Sequence, residues 1–552
     1  MTTTIVAGTR YSASDLHAPG RQSGYTGSEN PSIARTEESH PPTEFRPLDL
    51  SETRAAIPEP FSSSSLPPSL ASGRSAAAFT ARARVGDAGP SFCPTGPTCP
   101  AGHASPELLA LLRERGHPRQ PGPHTHKRIA VVGAGIAGLS AAWALSGHAH
   151  VTLFESGARA GGHTNTVDVT LDGPGGPVTH GVDTGFLVFN ERTYPLLIQL
   201  LAQLGVGVAR SDMSFSAQIA RDGIEWSGST LATVFAQRSN LARPAFWGML
   251  ADLLRFNRLC TMLAAHGAEA ALSEPIGDFL DRHRFGRAFR EWYLLPMVAC
   301  IWSCPTAQML QFPIRTLIRF CHNHGLLQVN DRPQWWTVTG GARHYVDAML
   351  PAIHEVRLRT PVQAIHRPLA GGDVVVQSPR GREHFDAVVL AGHSDQSLAM
   401  LAAPTEAEHQ LLNAIRYQPN LAVLHTDAGL LPRRRAAWAA WNYESGGRDG
   451  HGSGAVCLHY LLNQLQPLPW QQPVIVSLNP LRQPDPARVI GRYPYAHPVF
   501  DDAAVRAQAR LPDIQGSGGV WFAGAWTRYG FHEDGLLSGL NAARQVISKV
   551  LA

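Results

Sequence analysis

The sequence predicts an α/β fold built on a Rossmann-like, doubly wound dinucleotide-binding domain, with a disordered tail ahead of it. Three observations predict it. A short apolar run, Ile129–Val132, leads straight into Gly133-Ala-Gly-Ile-Ala-Gly138. A helical stretch, Leu139–Leu145, and a second apolar run, His150–Phe154, follow, and Glu155 ends the second run. Together they make a strand–helix–strand unit of the ~30 residues such a crossover needs. Ahead of this unit the composition changes. Gly, Pro and Ser fill 44 of the first 126 positions, too little apolar surface to offset the entropy of ordering.

Taken in order, residues 1–126 read as a disordered, low-complexity tail. Within it, Ser105–Arg115 has a capping serine, a proline for the first turn and a closing arginine, the signature of a short helix. Removing residues 1–120 is expected to leave cofactor binding unchanged. Beyond Glu155 the middle of the chain reads as helix-rich, over 194–204, 245–266 and 276–285. Strands are expected at 356–358, 373–377, 386–390, 474–478 and 519–522, and a last helix at 536–550. Net charge is +4, spread along the chain, which gives no footprint for nucleic acid. No run of 18 apolar residues points to a membrane span. The start of the chain has no secretory pattern and the seven cysteines suggest no disulfide framework, so a cytoplasmic location is expected.

The glycine cluster has a mechanical reading. Gly133 allows the tight turn out of the strand, Gly135 lets backbone approach a pyrophosphate, and Gly138 lets the helix pack close. Ile136 and Ala137 then offer first-turn amides to the phosphates. Glu155 can accept hydrogen bonds from a ribose diol and would repel a 2′-phosphate, which disfavours NADP. The fingerprint alone does not choose between FAD and NAD.

The residues that follow do choose. Ser156-Gly-Ala-Arg159-Ala-Gly161-Gly162-His163 resembles the Arg-x-Gly-Gly loop of the flavin amine oxidase superfamily, which includes phytoene desaturases and protoporphyrinogen oxidases. Gly181-Val-Asp183-Thr184-Gly185 resembles its turn toward the flavin ring. Trp521-Phe-Ala-Gly524 and Gly530-Phe531-His532-Glu-Asp-Gly535-Leu536 resemble its last FAD segment. Gly340-Gly-Ala-Arg343 and the stretch ending in Val362 resemble its central glycine pair and adenine-contacting strand. More narrowly, Pro296–Ser303, Ala437–Asn442 and Tyr529–Asp534 resemble a bacterial group of NAD/FAD-binding amine oxidoreductases.

The resemblance covers about 128–552. It implies FAD as cofactor, held by the residues just named, and hydride transfer from a small or lipophilic substrate to flavin N5. The electron acceptor would be oxygen or another oxidant. It also implies a discontinuous FAD-binding domain (127–190, 336–400, 515–552) around an α+β substrate domain (191–335, 401–514). Phe186, Asn190, Phe531 and His532 are the candidates beside the flavin, His532 chiefly through its backbone N–H. Genomic association of that bacterial group with cyclopropane fatty-acyl synthases hints at acyl lipids.

This chain departs from the family pattern in three places. The amine oxidases place a lysine near flavin N5; here only Lys127 and Lys549 exist. Ala525 stands where many relatives carry an acid. Phe531 falls at one face of the amine-holding aromatic cage, and no second ring is identified. Alternatives are therefore a lipid or isoprenoid desaturase or acyl-modifying flavoprotein, or a binding module without catalysis. Cys300, Cys304, Cys321, His322 and His324 read as buried core rather than a metal site, and no metal is expected. His532, Glu533 and Asp534 read as the dipole-favoured first turn of the last helix. Trp335, Trp336, Trp438 and Trp441, with Phe186 and Phe189, suggest an apolar channel, and Arg433–Arg435 a solvated loop or a headgroup contact at a membrane surface.

Overall fold

The computed structural model describes residues 105–113, 126–328, 332–367, 372–446 and 456–551, all within one compact unit, Cys93–Ala552. The expectation of disorder over the tail falls outside these residues except at 105–113. There the tail is ordered, and the short helix expected within Ser105–Arg115 forms: Pro106–Arg113 is α1, and its Leu108 and Leu112 are buried. Spacing of four puts both leucines on one face.

Next come β1 (Arg128–Val132), α2 (Ile136–Leu145) and β2 (His150–Phe154). A hairpin of β3 (Thr166–Gly173) and β4 (Gly176–Asp183) leads to α3 (Pro195–Gln203). The strands β5 (Phe215–Ile219) and β6 (Ile224–Ser227) precede four helices. These are α4 (Pro244–Ala265), α5 (Ile276–Arg282), α6 (Leu295–Trp302) and α7 (Ile314–Asn323). Then follow β7 (Glu355–Arg357), β8 (Ala387–Leu390), β9 (Arg416–His425), β10 (Trp441–Ser445), β11 (Cys457–Leu461), β12 (Ile475–Leu478) and β13 (Val489–Val499). The chain closes with β14 (Val520–Phe522) and α8 (His532–Val546).

Two sheets organise the molecule. The first is parallel, in the order β7-β2-β1-β8-β14, so it gathers strands from three distant stretches of chain. Its strands β1, β2, β8 and β14 are largely apolar on both faces because both are covered, whereas the edge strand β7 (Glu355-Val356-Arg357) is charged. Every residue of α2 is buried. The second sheet is mixed and mostly antiparallel, in the order β13-β9-β12-β11-β10-β5-β6. One of its faces, carrying Leu424, Leu458 and Val476, packs into a core with Phe279, Phe289, Val298 and Leu317 of the helical region. The middle is helix-rich, and α3, α4 and α5 fall where helices are expected. It also contributes two strands, β5 and β6, to this sheet, and helices form the layer against it.

Candidate functional site

The first loop is built by β1, β2 and α2. The Gly133 N–H donates to the Phe154 carbonyl (2.8 Å), so the chain leaves β1 while still tied to β2. Gly133 has φ +101°, a conformation that glycine alone adopts without strain. A Cβ on Gly138 would run into the Gly133 carbonyl. A Cβ on Gly135 would instead meet no protein atom within 4 Å. Gly135 is the N-cap of α2 and gives it no side-chain cap. The first-turn amides, from Ile136 onward, are therefore available to an anion. Glu155 accepts from the Ala134 N–H (2.8 Å) and the Gly157 N–H (2.7 Å), and its carboxylate keeps further acceptor positions. Ser156 lies beside it, Oγ 3.3 Å from Glu155 Oε1.

The second loop lies on the first. The Gly161 N–H donates to the Ala134 carbonyl (2.7 Å), and a Cβ on Gly162 would sit 3.1 Å from Gly135 Cα. Arg159 donates to the carbonyls of Ala160, Gly162 and Thr164, so its guanidinium clamps the loop it stands on. His163 is half-buried and stacks on Tyr495 (4.8 Å). Burial and the neighbouring His497 push its pKa well below the ordinary histidine value, which leaves a neutral ring whose Nε2 has no partner.

The Asp183 side chain acts within the protein. It accepts from Thr166 Oγ1, from the Ala342 N–H (3.0 Å) and from Gln466 Nε2 (2.7 Å). It thereby joins the end of β4 to the turn at Gly340-Gly341, and burial raises its pKa to about 6. Thr184 donates to the Asn165 carbonyl, and Gly185 is needed because a Cβ there would strike the His163 carbonyl. Val362 lies on the extended link after β7.

At the other end of the site, Gly535 and Leu536 lie where α8 meets α2: a Cβ on Gly535 would sit 2.8 Å from Ile136 Cγ2, and the Leu536 carbonyl accepts from Ser140 (3.3 Å), while Gly524 and Gly530 shape the turns ahead of α8. A Cβ on Gly539 would strike the Ala137 carbonyl. The His532 ring stacks on Phe186 (3.8 Å, 11°), and its Nε2 is 2.7 Å from the Tyr345 hydroxyl. Burial lowers the His532 pKa to about 3. Phe531 turns away and stacks on Phe320 (5.0 Å). Asn190 Oδ1 accepts from the Arg192 and Thr193 N–H groups, an Asn turn, while its Nδ2 has no partner.

His532, Glu533 and Asp534 form the first turn of the last helix, as expected. The Glu533 carboxyl group in addition caps α3, accepting from the Leu196 (2.8 Å) and Leu197 (3.0 Å) N–H groups. Burial raises its pKa to about 8, and that of Asp534 to about 6.

The expected aromatic channel does not assemble. Phe186, Phe189 and Trp336 pack with α2 and α3, Trp335 and Trp441 with the helical core, and Trp438 beside Leu431 and Leu461. Nor is the arginine loop wholly solvated, since Arg434 pairs with Glu225 (2.8 Å). Tyr345, Tyr495, His497 and Thr164 were invisible from sequence because no spacing rule connects them. Only the fold brings them to the glycine loops.

A family model described as flavin containing amine oxidoreductase matches residues 136–426, just over half of the chain. The chain belongs to that family. Its fold is similar to a CLA-producing fatty acid isomerase from P. acnes (TM-score 0.55, 15% identity, covering 78% of this chain and 100% of that one). It is equally similar to cyclohexylamine oxidase from Brevibacterium oxydans (TM-score 0.55, 18% identity, 77% and 99%). An L-amino-acid oxidase from Pseudechis australis is 56% identical over 48 residues, which is 8% of this chain and 9% of that relative's length. FAD is the cofactor of this flavin-dependent family member. The observed residues fit it: uncapped amides bordering a position where a side chain would touch nothing, a carboxylate at the end of β2, and an unpartnered buried imidazole nitrogen at His163. Among the described residues, no helix is long and apolar enough to cross a membrane.

The Glu533 carboxyl gives the first prediction. A buried acid with a raised pKa binds its proton more tightly in the folded state. Stability therefore falls as pH rises from the ordinary glutamate value, about 4.5, through about 8. Glu533→Gln removes that slope, so the stability difference between the two proteins should drift by a few kcal/mol across the window. Denaturation midpoints of both proteins over this range test it; parallel profiles would contradict the tightly held proton on Glu533.

Proposed function

We propose that the protein is an FAD-dependent oxidoreductase acting on a C–H bond of a lipophilic, acyl-type substrate. Gly133, Gly135, Ile136, Ala137 and Gly138 would hold the pyrophosphate and Glu155 the adenosine ribose. Arg159, Gly161, Gly162 and His163 would cover the linker. Gly185, Gly524 and the start of α8 at His532, Gly535 and Leu536 would meet the flavin half. FAD, when bound, supplies a two-electron acceptor. The protein's part is to orient the substrate, exclude water and present a fixed field, in which the positive N-terminal end of α8, at His532, would face the flavin half.

The observation that carries the substrate reading is the pocket at the start of α8. It is lined by Phe320, His324, Tyr529, Phe531, Glu533 and Leu537. Its lining arginine, Arg528, lies 3.8 Å from Asp534. Of the two acids in its wall, Asp534 faces Arg528 and burial pushes Glu533 up to about 8, which weakens both as partners for an ammonium group. No lysine lies between Lys127 and Lys549 to take the place of the family's flavin-side lysine.

A surface feature favours delivery from a bilayer. Five of the seven large hydrophobic side chains exposed among the described residues fall between 231 and 262: Leu231, Leu241, Trp247, Leu254 and Met262. Trp247 and Leu254 share a face of α4, and Trp247 packs near Phe235 (5.3 Å) and donates to the Leu241 carbonyl. Over 228–266 four arginines, Arg238, Arg243, Arg255 and Arg258, stand against a single acid, Asp252. An apolar ridge set among cations suits an anionic phospholipid surface.

Two measurements test this. Under anaerobic conditions the flavin colour of the holoprotein should bleach with phospholipids or fatty acyl compounds and persist with amines. Bleaching by amines, with lipids inert, would replace this reading with an amine oxidase. Vesicles containing phosphatidylglycerol should sediment the protein, and Trp247→Ser with Leu254→Ser should weaken this at least about tenfold. Equal binding by the double variant would remove the ridge from the account.

A further inference from the structure

The mixed sheet has a second face, turned away from the helical core, and it carries polar groups that the flavin chemistry does not use. Strands β10 and β11 pair so that Glu444 lies opposite Cys457, and Asn442 opposite His459. Side chains alternate along each strand. Trp441, Tyr443, Leu458 and Tyr460 face the helical core, while Glu444, Cys457 and His459 face the other way. All three are buried.

We infer that Glu444 Oε2, Cys457 Sγ and His459 Nε2 form a binding site for zinc or a similar borderline-soft divalent cation. The distances carry it. His459 Nε2 is 3.0 Å from Glu444 Oε2 and 3.5 Å from Cys457 Sγ, and Sγ is 3.8 Å from Oε2. Around a tetrahedral zinc, with the usual bond lengths to sulfur, nitrogen and oxygen, neighbouring ligand atoms are about 3.3 to 3.6 Å apart. The triangle already has the size of one face of such a tetrahedron. A thiolate with an imidazole favours zinc over magnesium or calcium. The two anionic ligands balance the charge of a dication.

The surroundings behave as supports for such ligands. His459 Nδ1 is 2.6 Å from Ser477 Oγ, which is 2.7 Å from His425 Nε2. His425 Nδ1 accepts from the Asp427 N–H, so its own proton sits on Nε2 and is donated to Ser477. The serine oxygen has a second lone pair for a proton on His459 Nδ1, which leaves His459 Nε2 free to bind a metal. Arg482 Nε holds the other carboxylate oxygen, Glu444 Oε1, at 3.0 Å, leaving Oε2 for the cation. Gln218 stands opposite Glu444 on β5, and its Oε1 is buried without a partner. That oxygen can serve the fourth position directly or through a water. On binding, the Cys457 thiol gives its proton to solvent, and the His459 proton moves from Nε2 to Nδ1.

Titrating the chelator-treated, full-length holoprotein with Zn²⁺ and with Co²⁺ tests the site. We expect one tightly held metal per chain and, with cobalt, the near-ultraviolet charge-transfer band of a thiolate ligand. Cys457→Ser should abolish the band, and His459→Gln should weaken zinc binding at least about 100-fold, with flavin content unchanged in both. Absence of the cobalt–thiolate band in the wild-type protein would overturn the proposal and leave a hydrogen-bonded network alone. A band that survives Cys457→Ser would do the same. The wild-type spectrum decides even if a variant fails to fold.

Discussion

Gly135→Val should give a folded protein that comes off a column colourless. The structure supplies both halves of that statement. A Cβ at Gly135 meets no protein atom within 4 Å, so the polypeptide can accept a larger residue there without rearrangement. The same branch would stand over the uncapped first-turn amides of α2, where we propose the FAD pyrophosphate rests. Hydrogen bonds from backbone to a charged group contribute about 1.5 to 3 kcal/mol each, so losing two lowers FAD affinity by at least about 100-fold. Gly138→Val is the contrasting case. Its Cβ would be driven into the Gly133 carbonyl, a backbone group that cannot swing aside, with Ala391 Cβ only 3.3 Å away. That variant should lose stability before it loses cofactor. Melting curves and visible flavin absorbance, read on both proteins, separate the two effects. A Gly135→Val protein that keeps its full flavin spectrum would move the pyrophosphate to another place.

The contrast between these glycines also marks what the chain discloses without a structure. The strand–glycine–helix–strand unit was legible because each part depends on near neighbours. The apolar run makes β1, the turn needs Gly133, and Glu155 follows β2 directly. The parallel sheet was partly legible for the same reason, since β8 and β14 are short apolar runs, whereas β7 is Glu355-Val356-Arg357 and carries charge on both sides of its valine. The mixed sheet was largely hidden. Pro494 and Pro498 interrupt β13, and Pro419 interrupts β9, where a strand pattern would forbid them. They are tolerated because β13 is an edge strand, and because β12 pairs only with residues 422–425 of β9. In β10 and β11 the buried residues include Asn442, Glu444 and His459, whose polarity hides a strand buried on both faces. The site residues divide the same way. Glycines and Glu155 announce themselves, whereas the roles of Glu533, as the cap of α3, and of Tyr345, as the partner of His532, depend on contacts across more than 180 residues of sequence.

Deleting residues 1–113 should cost the protein stability that deleting 1–104 does not, which revises the expectation that the whole tail is dispensable. The difference between the two is α1. Its Leu108 and Leu112 are buried against the core that contains α2, α3 and α8. The Leu109 carbonyl accepts from Gln199 Nε2 of α3 (3.1 Å), and Glu107 pairs with Arg544 of α8 (3.3 Å). The exposed ion pair contributes little. Two leucines at 1.5 to 3 kcal/mol each give roughly 3 to 6 kcal/mol, enough to lower the melting temperature by several degrees. Leu112→Asp in the full-length chain should reproduce most of that loss, because it buries a carboxylate without a partner. Equal melting temperatures for the two deletions would mean that α1 rests on the surface without holding it. The effect should reach the cofactor as well, since α8 is clamped between α1 at one end and the proposed flavin-facing turn at His532 at the other. Loosening its far end allows the near end to shift, so the shorter protein should release FAD faster as well as melt earlier.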